Sequence, residues 1–366
     1  MEIGGAPVIL LERGGLERPA APDQTPSRPV FTSARILPGR GMMTLQIQAH
    51  LPGRGVTDLL VSPPDGRARE ILADEASDFP GNSSYLLGGA ILLPYANRIR
   101  GRLSPDGRTI EAALPGKTVR LPANAWGRKP GAERFAMHGL LLASRFEDVR
   151  QETTEEADRV VASFAAGDFG GRWPSSTELS FENALRADSF TLSLTARNAG
   201  SEPLPMGIGW HPYFALPSGH REQARLHIPA RRRVLVKDYD AVLPTGELEP
   251  VAGTPYDFSP PGGRPLGTLP LDDCFVDFDR SERGEVTVEL IDPAGAYGLR
   301  VVAVAPPVQA IQVYAPPDHG FVCVEPQFNW ADPFGGQWGP DVDTGMVRLE
   351  PGESVTWSVR LELFAP

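Results

Sequence analysis

Apolar residues recur at every second position in several stretches of this chain. In "FTLSLTARN", Phe190, Leu192, Leu194 and Ala196 fall on one side of an extended backbone. Val286, Val288 and Leu290 do the same in "EVTVELID". In "SVTWSVRLELF", Val355, Trp357, Val359 and Leu361 alternate, and Phe364 implies a slip near the end. Successive side chains of a strand point to opposite faces, so this period predicts strands with one face buried. Turn signals separate them: Pro64-Asp65-Gly66, Pro105-Asp106-Gly107 and Asn198-Ala199-Gly200. Helical periodicity is scarce. "EQARLHIPARRRVLVKDYD" opens like a helix, but Pro229 breaks it and "RRRVLVKDY" reads as a strand. The pattern predicts an all-β protein, a large antiparallel β-sandwich.

Length and composition refine that picture. The chain has 366 residues, enough for one large all-β domain. Its 39 glycines and 38 prolines are spread out, as many turns require, and no internal repeat is evident. Residues 1–35, with "ERPAAPDQTPSRP", read as a Pro-rich N-terminal arm, and residues 36–366 as a single domain. The net charge of -11 argues against a nucleic-acid partner and offers no attraction to an anionic membrane. No apolar run is long enough to span a bilayer, and "MEIGGAPVILLERGG" lacks the basic start of a secretion signal. With only Cys274 and Cys323, a disulfide framework is not expected. These features predict a soluble, cytoplasmic protein.

Five segments could carry chemistry. In "GIGWHPYFALP", His211 stands between Trp210 and Pro212. A following proline biases a residue toward the extended region, which holds the imidazole still. A core histidine satisfied by a carbonyl is the plain alternative. "RFAMHGLLLASRF" sets His138 before Gly139, where a backbone without Cβ could approach a ligand; a histidine buried between strands is the alternative. In "LLPYANRIRGRL", Asn97 and Arg98 follow an aromatic, whereas Arg100 and Arg102 read as a solvated edge. "PLDDCFVDF" carries adjacent carboxylates, of which only one can face a given cleft. In "FVCVEPQFNW", Glu325 ends an apolar run. A carboxylate there is costly to bury and suited to act as a base, unless the strand simply emerges to solvent. The six histidines form no H-x-H or H-E-x-x-H zinc signature. There is no G-x-S-x-G elbow and no phosphate-cradling glycine loop. What is left suits proton transfer on a polyhydroxylated ligand.

Taken in order, "PYANRIRGRL", "HG", "GWHPYFALP", "LDDCF" and "VEPQ" resemble the aldose 1-epimerase (galactose mutarotase) family, from about residue 85 to the end. The resemblance implies a galactose mutarotase-like supersandwich, a monosaccharide substrate and no cofactor. It implies Glu325 as general base, His211 as general acid and His138 as an assistant near the ring oxygen. It implies that Arg98, Asp272 and Asn97 hold sugar hydroxyls or position the base. The context "RFAMHGLLL" departs from the family, where an asparagine often precedes the first histidine. Three other readings stay open. One is a hexose-6-phosphate 1-epimerase using Arg231, Arg232 and Arg233. Another is a sugar-binding protein without turnover. The third is a glycosidase using Asp272 and Glu325.

Overall fold

The computed structural model describes residues 1–13, 26–74, 77–304 and 307–366. Two large antiparallel sheets dominate, one of nine strands and one of eleven. The alternating segments build the centre of the nine-stranded sheet. Ser189–Asn198 pairs with Ser354–Phe364, which pairs with Tyr297–Ala303 and then with Val286–Asp292. Phe190, Leu192, Leu194, Trp357, Val359 and Leu361 are buried, and their polar neighbours face outward. Burying each such side chain contributes roughly 1.5–3 kcal/mol.

The expected slip near residue 364 is absent. Pairing runs in register to Gly298↔Phe364. Phe364 turns to the other face, where a Cβ at Gly298 would meet its ring at 2.6 Å and Arg300 lies 4.3 Å from the ring centre. Pro64-Asp65-Gly66 does not make a simple turn either. It opens the helix Asp65–Leu72, because proline is tolerated at a helix start and Asp65 suits its first turn. The stretch after residue 220 gives a short 3-10 turn, Arg221–Gln223, and then the strands Arg225–His227 and Ala230–Val236. No helix among the described residues is long and apolar enough to cross a membrane.

The reading of residues 1–35 as an arm needs correction. Ile9–Glu12 pairs with Val30–Leu37, which pairs with Met43–Leu51, so both flanks belong to the eleven-stranded sheet. Leu11 and Phe31 are fully buried in the main core. The alternating apolar residues of these flanks outweigh the prolines between them. Residues 14–25, the Pro-rich part, lie outside the described residues.

The middle of the eleven-stranded sheet runs Ala230–Val236, Leu271–Phe278, Ala310–Ala315, Phe321–Gln327, Gly209–Ala215, Gly89–Leu92. Alternation divides these strands between two environments. Trp210, Phe214, Val322, Val324, Ile311 and Val313 enter a core that also takes residues of the nine-stranded sheet. The odd-numbered residues of Gly209–Ala215 and Phe321–Gln327, and the even-numbered residues of the two strands beyond, face the other way. They form the floor of the candidate site.

Candidate active site

Strand register assembles the floor. Gly209 pairs with Gln327 and Tyr213 with Cys323, which sets His211 opposite Glu325. Gln312 pairs with Glu325 on its other side and with Cys274 beyond. The next row runs Tyr213, Cys323, Tyr314, Asp272. Four strands distant in sequence therefore place His211, Glu325, Gln312 and Asp272 on one surface. Pairing between the two middle strands is interrupted at 210–212, where Pro212 has no N–H to give. At that interruption His211 Nε2 lies 3.5 Å from Glu325 Oε1. Both residues precede prolines, Pro212 and Pro326, which favour the extended backbone observed.

The remaining groups come from the segments over this floor. Arg98–Ile99 pairs with Arg134–Met137, which leads directly into His138. Asn97 and His138 both adopt left-handed backbone, with φ of 59° and 63°, and the His138 N–H donates to the Asn97 carbonyl at 2.9 Å. The two turns are thus tied together. Gly139 also has positive φ, and a Cβ there would strike the Leu93 carbonyl oxygen at 2.2 Å. Its glycine serves a close approach of chain to chain, not the approach to a ligand expected from the sequence. The His138 ring meets the His211 ring edge-on, with centroids 5.1 Å apart.

A chain of side-chain hydrogen bonds fixes the sugar-binding candidates. Arg98 Nη1 donates to Asn97 Oδ1 at 2.8 Å, and Asn97 Nδ2 donates to Gln312 Oε1 at 3.0 Å. Gln312 Nε2 donates to Asp272 Oδ1 at 2.7 Å, and Arg98 Nη2 closes the loop at 3.8 Å from Asp272 Oδ2. Because a carboxylate only accepts, Asp272 dictates the orientation of both amides. Asp273 faces the other way and pairs with Arg233 at 2.5 Å. The structure therefore brings all six residues singled out in the sequence into one cluster. Arg100 and Arg102 instead pair with Glu133 and Glu111. Sequence reading missed Gln312 and Tyr85, whose ring packs on that of His138 with centroids 4.9 Å apart. Gln312 had a signal, an amide inside the apolar run "AIQVYA"; Tyr85 had none.

Burial controls the electrostatics. Glu325 is 2% exposed, and burial pushes its carboxyl well above the usual 4.5; the nearby Asp272 adds to this and Arg98 opposes it. Burial pulls His211 down to about 4, with Arg98 adding to the effect, and pulls His138 well below 6.5. Asp272 is raised by burial and lowered by Arg98. It keeps 25% of its side chain exposed, so water screens that attraction. Glu325 Oε2, Arg98 Nε and the Nδ1 atoms of both histidines are buried without a hydrogen-bond partner among the described residues. Cys274 and Cys323 are free and buried, in adjacent rows of the same floor.

Solved structures share this fold. A galactose mutarotase-like protein from Clostridium acetobutylicum superposes with a TM-score of 0.70 at 18% identity, covering 91% of this chain and 93% of that one. The galactose 1-epimerase of Lactobacillus acidophilus gives 0.61 at 17% identity, covering 91% of each chain. Among curated sequences, the uncharacterised protein YphB of Escherichia coli K12 is 29% identical over 188 residues, which is 49% of this chain and 57% of that protein. The maltose epimerase of Levilactobacillus brevis is 25% identical over 222 residues, 58% of this chain and 61% of the relative. The matched stretches thus span less than two thirds of either relative. The family model described as aldose 1-epimerase matches residues 44–362, a range that holds every residue of the cluster. The chain belongs to the aldose 1-epimerase family.

Proposed function

We propose that this protein interconverts the α and β anomers of a free hexose by opening and closing its ring. The observation that carries this reading is the buried pair of His211 and Glu325, 3.5 Å apart beside polar side chains that converge from three segments. Anomer exchange needs one group to take the C1 hydroxyl proton and another to protonate the ring oxygen. Glu325 takes the first proton and His211 supplies the second. The bond between C1 and the ring oxygen breaks, and C1 becomes an aldehyde. Rotation about C1–C2 presents its other face, and closure returns both protons. The pair holds one mobile proton before and after the cycle, so turnover consumes nothing.

Burial by itself favours that proton on Glu325. A sugar hydroxyl donating to the unpartnered Oε2 stabilises the carboxylate, and the proton then belongs on His211. His138, edge-on to His211, assists at the ring oxygen. Arg98, Asn97 and Asp272 form one hydrogen-bonded unit that holds sugar hydroxyls, with Gln312 linking them.

A phosphorylated sugar is less well supported. Arg231 and Arg232 pair with Asp279 and Asp277, and Arg233 pairs with Asp273 and Glu249. The cluster suggested for phosphate is neutralised by its own neighbours. The test is anomer exchange followed by NMR or polarimetry on freshly dissolved α-D-glucose, α-D-galactose, maltose and the two hexose 6-phosphates. Maltose is included because one relative is named for it. Acceleration above the buffer rate supports the reading. Saturable binding without acceleration means a sugar-binding protein, and new reducing ends from oligosaccharides mean a glycosidase.

A further inference from the structure

No other described residue fixes either imidazole by a hydrogen bond at its second ring nitrogen, the usual device for holding a histidine. Nδ1 of His211 and Nδ1 of His138 are both buried without a partner among the described residues. The 3.5 Å separation from Glu325 is too long to hold His211 firmly. Ring packing holds them instead. Tyr213 stacks on His211 with centroids 4.9 Å apart and planes 25° from parallel. His138 meets His211 edge-on, and Tyr85 packs on the far side of His138 at 4.9 Å. The Tyr213 hydroxyl then donates to the Tyr85 carbonyl at 2.7 Å, which closes the circuit.

We propose that the hydroxyl of Tyr213 is a positioning group, whose bond to the Tyr85 carbonyl locks the ring of Tyr85, His138, His211 and Tyr213 and aims both imidazoles. The proposal rests on the proton-transfer reading above for its effect on turnover. Stacking of Tyr213 on His211 follows from the strand, since residues two apart share a face. Tyr85 and His138 arrive from elsewhere and must be held against the sheet. The short helical turn Asn82–Leu86 is pinned from its other side. Buried Arg40 donates to Ser84 Oγ at 3.0 Å and to Asp74 at 2.6 Å. Asn124 donates to Asn82 at 2.8 Å, accepts from the Met137 N–H at 2.8 Å and donates to the Met137 carbonyl at 3.1 Å, one residue before His138. The Tyr213 hydroxyl adds a side-chain link between this assembly and the strand that carries His211, beside the main-chain bond from the Tyr213 N–H to the Gly88 carbonyl at 2.8 Å. Burial pushes the Tyr213 hydroxyl above its ordinary value, so it remains a proton donor at working pH. The charged and titratable groups facing the two rings are Glu325, Arg98, Tyr85 and Tyr213 itself.

Tyr213→Phe removes the hydroxyl and keeps the ring. Turnover should fall roughly tenfold, because small misplacement is expensive in proton transfer. KM should change less than twofold, since Tyr213 makes no hydrogen bond to Arg98, Asp272 or Gln312. The ring 15N and 1H signals of His211 and His138 should shift. Incorporating 4-aminophenylalanine at position 213, which restores a donor, should recover most of the turnover and return the signals toward wild type. A folded Tyr213→Phe protein with turnover within twofold and unmoved histidine signals overturns the proposal. So does a loss of turnover that merely follows the folded fraction, or one that 4-aminophenylalanine leaves unrepaired in a folded protein. If the wild type accelerates no anomer exchange, the functional reading fails, and the histidine signals alone decide the positioning claim.

Discussion

The strands Ser189–Asn198 and Phe321–Gln327 sit in different sheets and use polar residues in opposite ways. In the first, polar and apolar residues alternate, and Thr195 meets Thr356 at 2.8 Å on the exposed face. None of its side-chain polar atoms is buried without a partner. In the second, all seven residues are buried, Glu325 and Gln327 included. Both amide atoms of Gln327 and one oxygen of Glu325 lack a partner among the described residues. Burying such groups unpaired costs free energy that ordinary packing avoids. Along Ser189–Arg197 polar residues mark where water is, and in Phe321–Gln327 they lie buried in and beside the cluster.

The sharpest way to break this contrast is Glu325→Gln. It should lower turnover by roughly 10²–10⁴-fold, as loss of a positioned base does, while circular dichroism and the melting profile remain native-like. Near-normal anomer exchange in the variant would remove Glu325 from its role and leave the contrast a matter of packing alone. In the other strand, Leu194→Ala opens a cavity under a fully buried position and should cost about 2–5 kcal/mol in urea unfolding. Turnover per folded molecule should not change; a change would mean that the nine-stranded sheet tunes the site.

The pH dependence of stability sharpens the comparison further. Glu325 keeps its proton in the folded state above 4.5, while the unfolded chain releases it. The unfolded state then binds fewer protons, so this group's contribution falls as pH rises through that range. His211 acts in the opposite sense. Lowered from 6.5 to about 4, it costs stability as pH falls between those values. Both proteins retain His211, so the difference between wild type and Glu325→Gln isolates the carboxyl. Urea melts at pH 5 and pH 8 should show the variant gaining on the wild type at the higher pH; a constant difference would contradict a raised carboxyl. The smallest effect belongs to the exposed face. Thr195→Ala should stay within about 0.5 kcal/mol of wild type in the same melts, with unchanged turnover.

The nine-stranded sheet was largely legible in the sequence, because period two and turn residues act locally. Phe190, Leu192, Leu194 and Ala196 are buried together as their spacing predicts. The site was legible in part for the same reason. Asp272 with Cys274, and Cys323 with Glu325, lie on the floor in pairs two apart. Expectations went wrong where a distant contact overrode a local cue. Phe364 did not signal a slip, because Gly298 on the neighbouring strand leaves room for its ring on the outer face. Residues 9–12 and 30–35 read as part of an arm, because the prolines between them hide the strands they help form.

By itself, the sequence determined which residues could be buried and which could move a proton. Both properties belong to the side chain and its immediate neighbours, as His211 before Pro212 and Glu325 before Pro326 show. Tertiary structure alone decided which of them meet. Register across four strands put Glu325 between His211 and Gln312, and the tied turns at Asn97 and His138 laid Arg98 over Asp272. It also decided their acidity. Proton affinity in a protein depends on water excluded and charges gathered from remote segments. No spacing along the chain records that a strand ending in "VEPQ" will be covered on both faces.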